Sequence, residues 1–268
     1  MEEKKYYPEF NQLRKIITNM WEEARDNAFS SYRIDNKDQN ELVTELDIKL
    51  EKYARKKIKE AFKIVDFVWE ELDDEININS KYKFIIDPID WTESYINKEF
   101  NSTVCIAIED IKEWKIIYSW VYDFMKDIFY ESNWKENSIF FKKEKITQNI
   151  NPSDKVKILV SWRRTEVDKI ITNISSRENS KNYRVARQYW SIALQVTQVI
   201  SWMQDIYIRP NKIKTWDIAS AINFANNNDD FEITDMDLNE FDFKNPNNWI
   251  AIYRKKYEKL VDKIINNY

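Results

Sequence analysis

No glycine occurs in this 268-residue chain. Ordinary usage of about 7% would give roughly 19, so the absence is not sampling noise, and it constrains the fold before any other feature does. Glycine normally fills left-handed turns, helix C-termini and places where backbone approaches a ligand, because it has no Cβ. This chain must make those turns with residues that carry side chains. The P-loop, the GxGxxG dinucleotide fingerprint and the GxSxG nucleophile elbow are excluded outright. Histidine is absent too, which removes Ser-His-Asp triads, Cys-His pairs and HExxH zinc sites. The lone cysteine, Cys105, rules out a disulfide framework within the chain and zinc-cysteine clusters; inside the apolar run 104–108 it reads as a buried core thiol. Chemistry is left to carboxylates, hydroxyls, lysine, arginine and backbone groups. The cations that such hard oxygen ligands favour are magnesium, calcium and manganese.

The net charge of -4 is spread over interspersed acidic and basic residues, which argues against general nucleic-acid binding. The first residues, Met1-Glu2-Glu3-Lys4-Lys5, lack the apolar core of a signal peptide. No stretch approaches the ~20 apolar residues of a membrane span. A soluble cytoplasmic protein is the expectation.

Hydrophobic spacing predicts helices over 10–29 and 46–62, the second opened by Thr44 and Asp47 in the arrangement of a capping box. Short β-rich runs follow at 64–69, 82–86, 103–108, 115–122 and 127–130. Their close spacing predicts a meandering, largely antiparallel sheet. Beyond Pro152 the pattern changes to strand 156–160, helix 165–174, helix 191–200, strand 206–208, helix 216–225 and a closing amphipathic helix 254–265. The fold class is mixed α/β (α+β). The loop signal Asn151-Pro152-Ser153 places a boundary near 149–154, between an N-terminal α+β subdomain (1–150) and a C-terminal α/β subdomain (151–268).

The most informative segment is Phe84-Ile85-Ile86-Asp87-Pro88-Ile89-Asp90-Trp91-Thr92. An apolar strand delivers two carboxylates at its end, Pro88 stiffens the turn between them, and a helix can start at Thr92, where free N–H groups suit an anion. Two carboxylates and a carbonyl can hold hard cations beside that anion; a plain strand-to-helix turn with Asp90 as cap is the other reading. Glu70 and Glu71 also follow an apolar strand; taken alone they read as a solvated acidic loop. Asp47 and Asp217, near helix starts, taken alone read as caps.

Taken in order, these segments resemble the inositol monophosphatase-like family of magnesium-dependent, lithium-sensitive phosphatases. Glu70-Glu71 matches the family's acidic pair, and Asp87-Pro88-Ile89-Asp90-Trp91-Thr92 matches D-P-[IL]-D-G-T except at the glycine. Trp216-Asp217-Ile218-Ala219-Ser220 matches W-D-x-A-[AS]. Leu42-Val43-Thr44-Glu45-Leu46-Asp47 is similar to L-V-T-x-x-D, Arg187 to Leu194 to R-x-x-G-S-x-A-L, and Asp205-Ile206-Tyr207 to D-x-Y. Tryptophan stands at the family's glycines at 69, 91, 120, 190 and 202, whereas Trp216 is tryptophan in the family too. Deliberate removal of glycine and the reading of one codon as the wrong residue are both open as the origin.

The resemblance implies an αβαβα layered sandwich, a homodimer, and hydrolysis of a phosphate monoester by two or three Mg2+ ions, with Mn2+ as a substitute. Glu70, Asp87 and the Ile89 carbonyl would hold one ion, and Asp87, Asp90 and Asp217 a second. Asp47 and Thr92, with Glu70, would activate the attacking water. Trp91, Thr92, Trp190, Ser191 and Arg209 would border the substrate, a small phosphorylated metabolite: an inositol phosphate, a sugar phosphate or bisphosphate, or a nucleotide 3'-phosphate. Inositol-specific members have an acidic residue where this chain has Arg209; with Lys212 and Lys214 it would meet a second phosphate, or form a solvated basic loop. The competing reading is a scaffold of the same fold in which Trp91 and Trp190 impair turnover, binding metal weakly or acting as a structural dimer.

Overall fold

The computed structural model describes residues 10–27, 33–36, 42–99, 101–133, 136–142, 144–147, 154–161, 168, 171–172, 174, 181–188, 191–201, 203–210, 213–235, 237–242 and 250–266. Helix α1 (Phe10–Asn27) turns Leu13, Ile17 and Met20 inward, and α2 (Glu45–Phe62) does the same with Leu46, Leu50, Ala54 and Ile58. Ahead of α2 lies a small antiparallel ribbon of β1 (Ile34–Asn36) and β2 (Leu42–Thr44). The expected capping box is present: Asp47 N–H donates to Thr44 Oγ1 at 3.4 Å, and Thr44 N–H donates to Asp47 Oδ2 at 2.8 Å.

The larger sheet runs in the order β3 (Asp66–Trp69), β4 (Tyr82–Asp90), β5 (Thr103–Asp110), β6 (Lys115–Asp123), β7 (Ile128–Ser132), β8 (Asn137–Phe141) and β9 (Glu144–Ile146). It is antiparallel from β4 onward, as expected, but β3 and β4 are parallel. Strand β5 explains how an unbroken apolar run arises. Val104, Ile106 and Ile108 pack with α1 and α2 on one face, while Cys105 and Ala107 point into the opposite cores. Period-two alternation with both faces covered leaves no polar position.

The smaller sheet has the order β11 (Tyr183–Gln188), β10 (Val156–Ser161), β12 (Ile206–Arg209), β14 (Ile250–Arg254) and β13 (Phe231–Thr234). Helices α4 (Ile192–Ile200) and α5 (Thr215–Asn226) share one core with both sheets. A short 3-10 turn (Lys255–Tyr257) and α6 (Glu258–Asn266) pack on the outer face together with Ile171 and Ile174. The layer order is therefore helix, sheet, helix, sheet, helix, as the resemblance implied.

Strands β1, β2, β8, β9, β11, β13 and β14 have no counterpart in the sequence reading, which placed a helix start at Arg254 where β14 ends. The expected helix 165–174 and boundary 149–154 lie largely outside the described residues; 168, 171, 172 and 174 are helical. Among the described residues no helix is long and apolar enough to cross a membrane.

The missing glycines leave a backbone signature. Lys63, Trp91, Lys98, Trp114, Asp127, Lys142 and Leu238 all have positive φ, between 48° and 72°. Each carries a Cβ at positive φ, which costs a residue other than glycine roughly 1–3 kcal/mol.

The loop after β3 is tied to α2 by Glu75, whose backbone bridges Phe67 in both directions at 2.8 and 3.0 Å. Its carboxylate meets Lys59 at 2.7 Å and Arg55 Nε at 3.1 Å, contacts that pull its pKa down to about 2. A depressed carboxylate stabilises the fold above its unfolded value of 4.5 and ceases to do so as pH falls through about 2. Glu75→Gln is expected to lower the melting temperature at pH 7, and the gap to the parent should close roughly between pH 5 and 2. The partial exposure of the pair keeps the effect below about 1 kcal/mol. Thermal melts of both proteins across that range check it.

Candidate metal centre

Residues three apart on a regular strand face opposite sides of a sheet. Asp87 and Asp90 escape that rule because the β4–β5 register shifts between them. Pro88, which has no N–H to give to a ladder, sits inside the break. Helix α5 supplies the third carboxylate. Its small residue Ala219 packs with Ala107, Ile85 and Ile116 of the large sheet, so little bulk separates helix from strands. Asp217 thereby reaches β4. One carboxylate oxygen from each of Asp87, Asp90 and Asp217 lies within 4.8 Å of the others.

Like charges this close raise one another's pKa. Asp87 is 1% exposed and is pushed well above the ordinary carboxylate range, first by burial and then by the charges of Glu70 and Asp90. Asp90 is raised to about 6, again by burial, while hydrogen bonds from Ser191 and Ala193 pull the other way. Asp217, half-buried, is raised by burial and then by Asp90 and Glu70, with Arg209 opposing. Glu70, just past the end of β3, is near enough for its charge to act on all three, and stands outside the trio whose oxygens converge within 4.8 Å. Asp87 Oδ1 is buried with no hydrogen-bond partner among the described residues. Converging carboxylate oxygens, mutually destabilised and one of them unsatisfied, fit a hard divalent cation of the magnesium or manganese type.

The surroundings hold these groups in place. Ser191 donates to Asp90 Oδ2 at 2.6 Å and accepts from Leu194 N–H at 3.0 Å; Thr103 Oγ1 lies 2.6 Å away. With its one proton given to Asp90, the Ser191 hydroxyl accepts from Thr103. Ala193 N–H adds a second bond to Asp90 Oδ2 at 3.2 Å. Ser191, expected beside the substrate, is fully buried and braces a carboxylate. Asp217 is both a helix residue of capping type, accepting Lys214 N–H at 3.2 Å, and a member of the carboxylate cluster, so the cap does not draw it away from Asp87 and Asp90.

Trp91 is the N-terminal cap of the five-residue helix α3 (Thr92–Ile96), with φ 72° and ψ 59°. Its carbonyl accepts from Ser94 N–H (3.0 Å), Tyr95 N–H (3.3 Å) and Ser102 Oγ (2.9 Å), which pins the residue in this conformation. Thr92 Oγ1 donates to the Ile89 carbonyl at 3.1 Å. Asp47 is fully buried at the start of α2. Arg209, at the end of β12 and 5% exposed, acts on Asp90 and Asp217 with its positive charge. Cys105 is buried, and burial together with the Asp90 charge pushes its thiol up, in keeping with an inert core residue. Trp190, Trp202 and Lys212 lie outside the described residues.

The sequence reading passed over Glu51, whose Oε1 accepts Glu70 N–H at 3.1 Å and Glu71 N–H at 2.9 Å. It is fully buried, and its pKa is pushed up to about 8 by burial and by the Glu71 and Glu70 charges. A signal was present: Glu51 interrupts the apolar stripe of α2 one turn after Asp47. Thr103 left no comparable trace.

A family model described as the inositol monophosphatase family matches residues 7–264. The chain is similar to an inositol-1-monophosphatase of Bacillus subtilis (strain 168), 27% identical over 186 residues, 68% of each chain. Among solved structures it resembles the IMPase of Thermotoga maritima, with TM-score 0.78, 18% identity and 96% of both chains covered. It also resembles an IMPase/NADP phosphatase complexed with Mg2+ and phosphate, with TM-score 0.75, 20% identity and 96% of both chains covered.

Proposed function

The chain is therefore a member of the inositol monophosphatase family, and from that premise we propose that it is a metal-dependent phosphomonoesterase acting on a small phosphorylated metabolite. The observation that carries this reading is the convergence of Asp87, Asp90 and Asp217 within 4.8 Å. Glu70, Asp87 and the Ile89 carbonyl form one proposed cation site, and Asp87, Asp90 and Asp217 a second. When bound, magnesium supplies positive charge that acidifies water and neutralises phosphate oxygens.

The chain's own groups do the remaining work. Asp47 and Thr92 orient the attacking water, with Asp47 as the acceptor for its proton. No imidazole is needed. Ser191 and Ala193 keep Asp90 turned inward through the two bonds to Oδ2. The backbone N–H groups of Trp91 and Thr92, at the bend into α3, point the reading to a phosphate held there. Arg209 favours a substrate with a second anionic group, a sugar bisphosphate or a nucleotide bearing a 3'-phosphate, over a plain inositol monophosphate. Residues 1–150 would supply most ligands, and 151–268 would supply Asp217 and the substrate contacts; a cytoplasmic homodimer completes the proposal.

The test is a phosphate-release screen with Mg2+ against inositol monophosphate, sugar phosphates and bisphosphates, and nucleoside 3'-phosphates. Release that requires magnesium, is suppressed by lithium and disappears in Asp90→Asn is the expected result. A screen with no release from any compound would leave the impaired scaffold as the better description.

A further inference from the structure

Helix α2 carries two buried carboxylates one turn apart, Asp47 and Glu51, on an otherwise apolar face. Asp47 caps its own helix. Glu51 reaches outside it. A single oxygen, Oε1, accepts the consecutive backbone N–H groups of Glu70 and Glu71, at 3.1 and 2.9 Å. Those two amides lie where β3 has just ended at Trp69, beyond the reach of the sheet's ladder. One residue earlier, Trp69 N–H donates to Asp74 Oδ1 at 3.2 Å, so the turn closes on side chains at successive positions.

We propose that Glu51 is a positioning residue: it fixes the backbone of the Glu70–Glu71 turn against α2 and so sets where the Glu70 carboxylate stands relative to Asp87. Two adjacent amides sharing one acceptor define an orientation as well as a distance, because the N–H groups of two successive peptide planes must both turn toward the same oxygen. The same helix positions Asp47, so one rigid element places both the acid assigned to the water and, through the turn, the Glu70 carboxylate assigned to the cation. Outer-shell partners of this kind orient ligands, and their loss weakens metal binding by about 10–100-fold. The inference about metal rests on the proposed ligand role of Glu70; the inference about the turn does not.

Two substitutions separate reach from charge. Glu51→Gln keeps an oxygen acceptor at the same length, and Glu51→Asp keeps the acid but withdraws it by one methylene. In the metal-free chain, E51D is expected to raise amide hydrogen exchange at residues 70 and 71 about tenfold or more, and E51Q to leave it near the parent's. Calorimetric titration with Mg2+ alone should show E51D binding about 10–100-fold more weakly and E51Q recovering to within a few-fold of the parent.

Unchanged exchange in E51D overturns the proposal, as does E51Q behaving like E51D. Faster exchange with unaltered Mg2+ affinity overturns the link to the ligand. An E51D chain that loses its cooperative melt altogether makes Glu51 a general fold residue, which also overturns it. Failure of the parent to bind Mg2+ is a different result: it removes the phosphatase reading, while the exchange data still report on the turn.

Discussion

Replacing Asp87 by asparagine is expected to make the metal-free protein more heat-stable and, at the same time, indifferent to magnesium. Asp87 is 1% exposed, its Oδ1 has no hydrogen-bond partner among the described residues, and the charges of Glu70, Asp90 and Asp217 surround it. Without a cation that arrangement opposes folding. A neutral side chain of nearly the same shape relieves the repulsion, by roughly 1–3 kcal/mol, or a few degrees in melting temperature. The parent should recover that ground when Mg2+ is added, since a ligand present at about 100 times its Kd stabilises by about 2.7 kcal/mol. Asp87→Asn should not respond, and its phosphate release should fall by more than about a hundredfold, the upper range for losing an outer-shell partner. Melts with and without Mg2+ decide the matter. A parent that gains nothing from Mg2+, or a variant that melts below it without Mg2+, would remove the cation site.

The second large effect is a gain. Trp91→Gly is expected to raise both stability and activity. Tryptophan at φ 72° and ψ 59° is strained by roughly 1–3 kcal/mol, and glycine adopts the same torsions freely. Trp91 lies between Asp90 and Thr92, so relaxation there moves a proposed cation ligand and a proposed water-orienting group, and misplacement by about 1 Å is worth around a hundredfold in rate. Trp91→Ala provides the contrast. It removes the indole but keeps a Cβ in the left-handed region. Activity restored by glycine and alanine alike would identify the indole as the obstacle, whereas glycine alone would identify the torsion. The pair Trp91→Gly with Trp190→Gly extends the test to the second glycine position of the family pattern. Rates no higher than the parent's in all three variants would show that position 91 does not limit turnover.

The parts of this molecule legible from sequence were those with a local cause. The stripe of α2, the Thr44–Asp47 cap and the apolar run of β5 each follow from side-chain periodicity or short-range hydrogen bonding. Asp87, Asp90 and Asp217 could be picked out because each follows or opens an element, and their order matched a known pattern; the distance between them is a property of packing. Strands β9 and β11 escaped notice because Glu-Lys-Ile and Tyr-Arg-Val-Ala-Arg-Gln lie at sheet edges and carry charge without clean alternation. The parallel pairing of β3 with β4 was hidden because the intervening segment contains no helix to announce a crossover. In the sequence Ser191 stands out only through its place in a motif. Its role in bracing Asp90 depends on Thr103 and on a neighbour 101 positions away, which no window of sequence contains.

The tryptophans at 69 and 120 illustrate how a chain without glycine can still close its core. Each is almost fully buried and stacks on an aromatic neighbour two positions earlier, Phe67 at 4.8 Å and Tyr118 at 4.1 Å. Both indole N–H groups are buried with no hydrogen-bond partner among the described residues. Buried tryptophans usually find one. These positions gain apolar contact and forgo a polar one, the pattern of a large ring accommodated where a small residue suffices.

The division of the proposed ligands between β4 and α5 has a topological consequence. Asp90 and Asp217 are separated by roughly 130 residues of chain, so an ion gripped by both would close a long loop, a reversible counterpart of a covalent cross-link. Catalytic loading and mechanical cohesion would then be one event: a cell short of divalent ions would hold not only idle copies of this protein but looser ones, opening first along the seam where the helix rests on the strand.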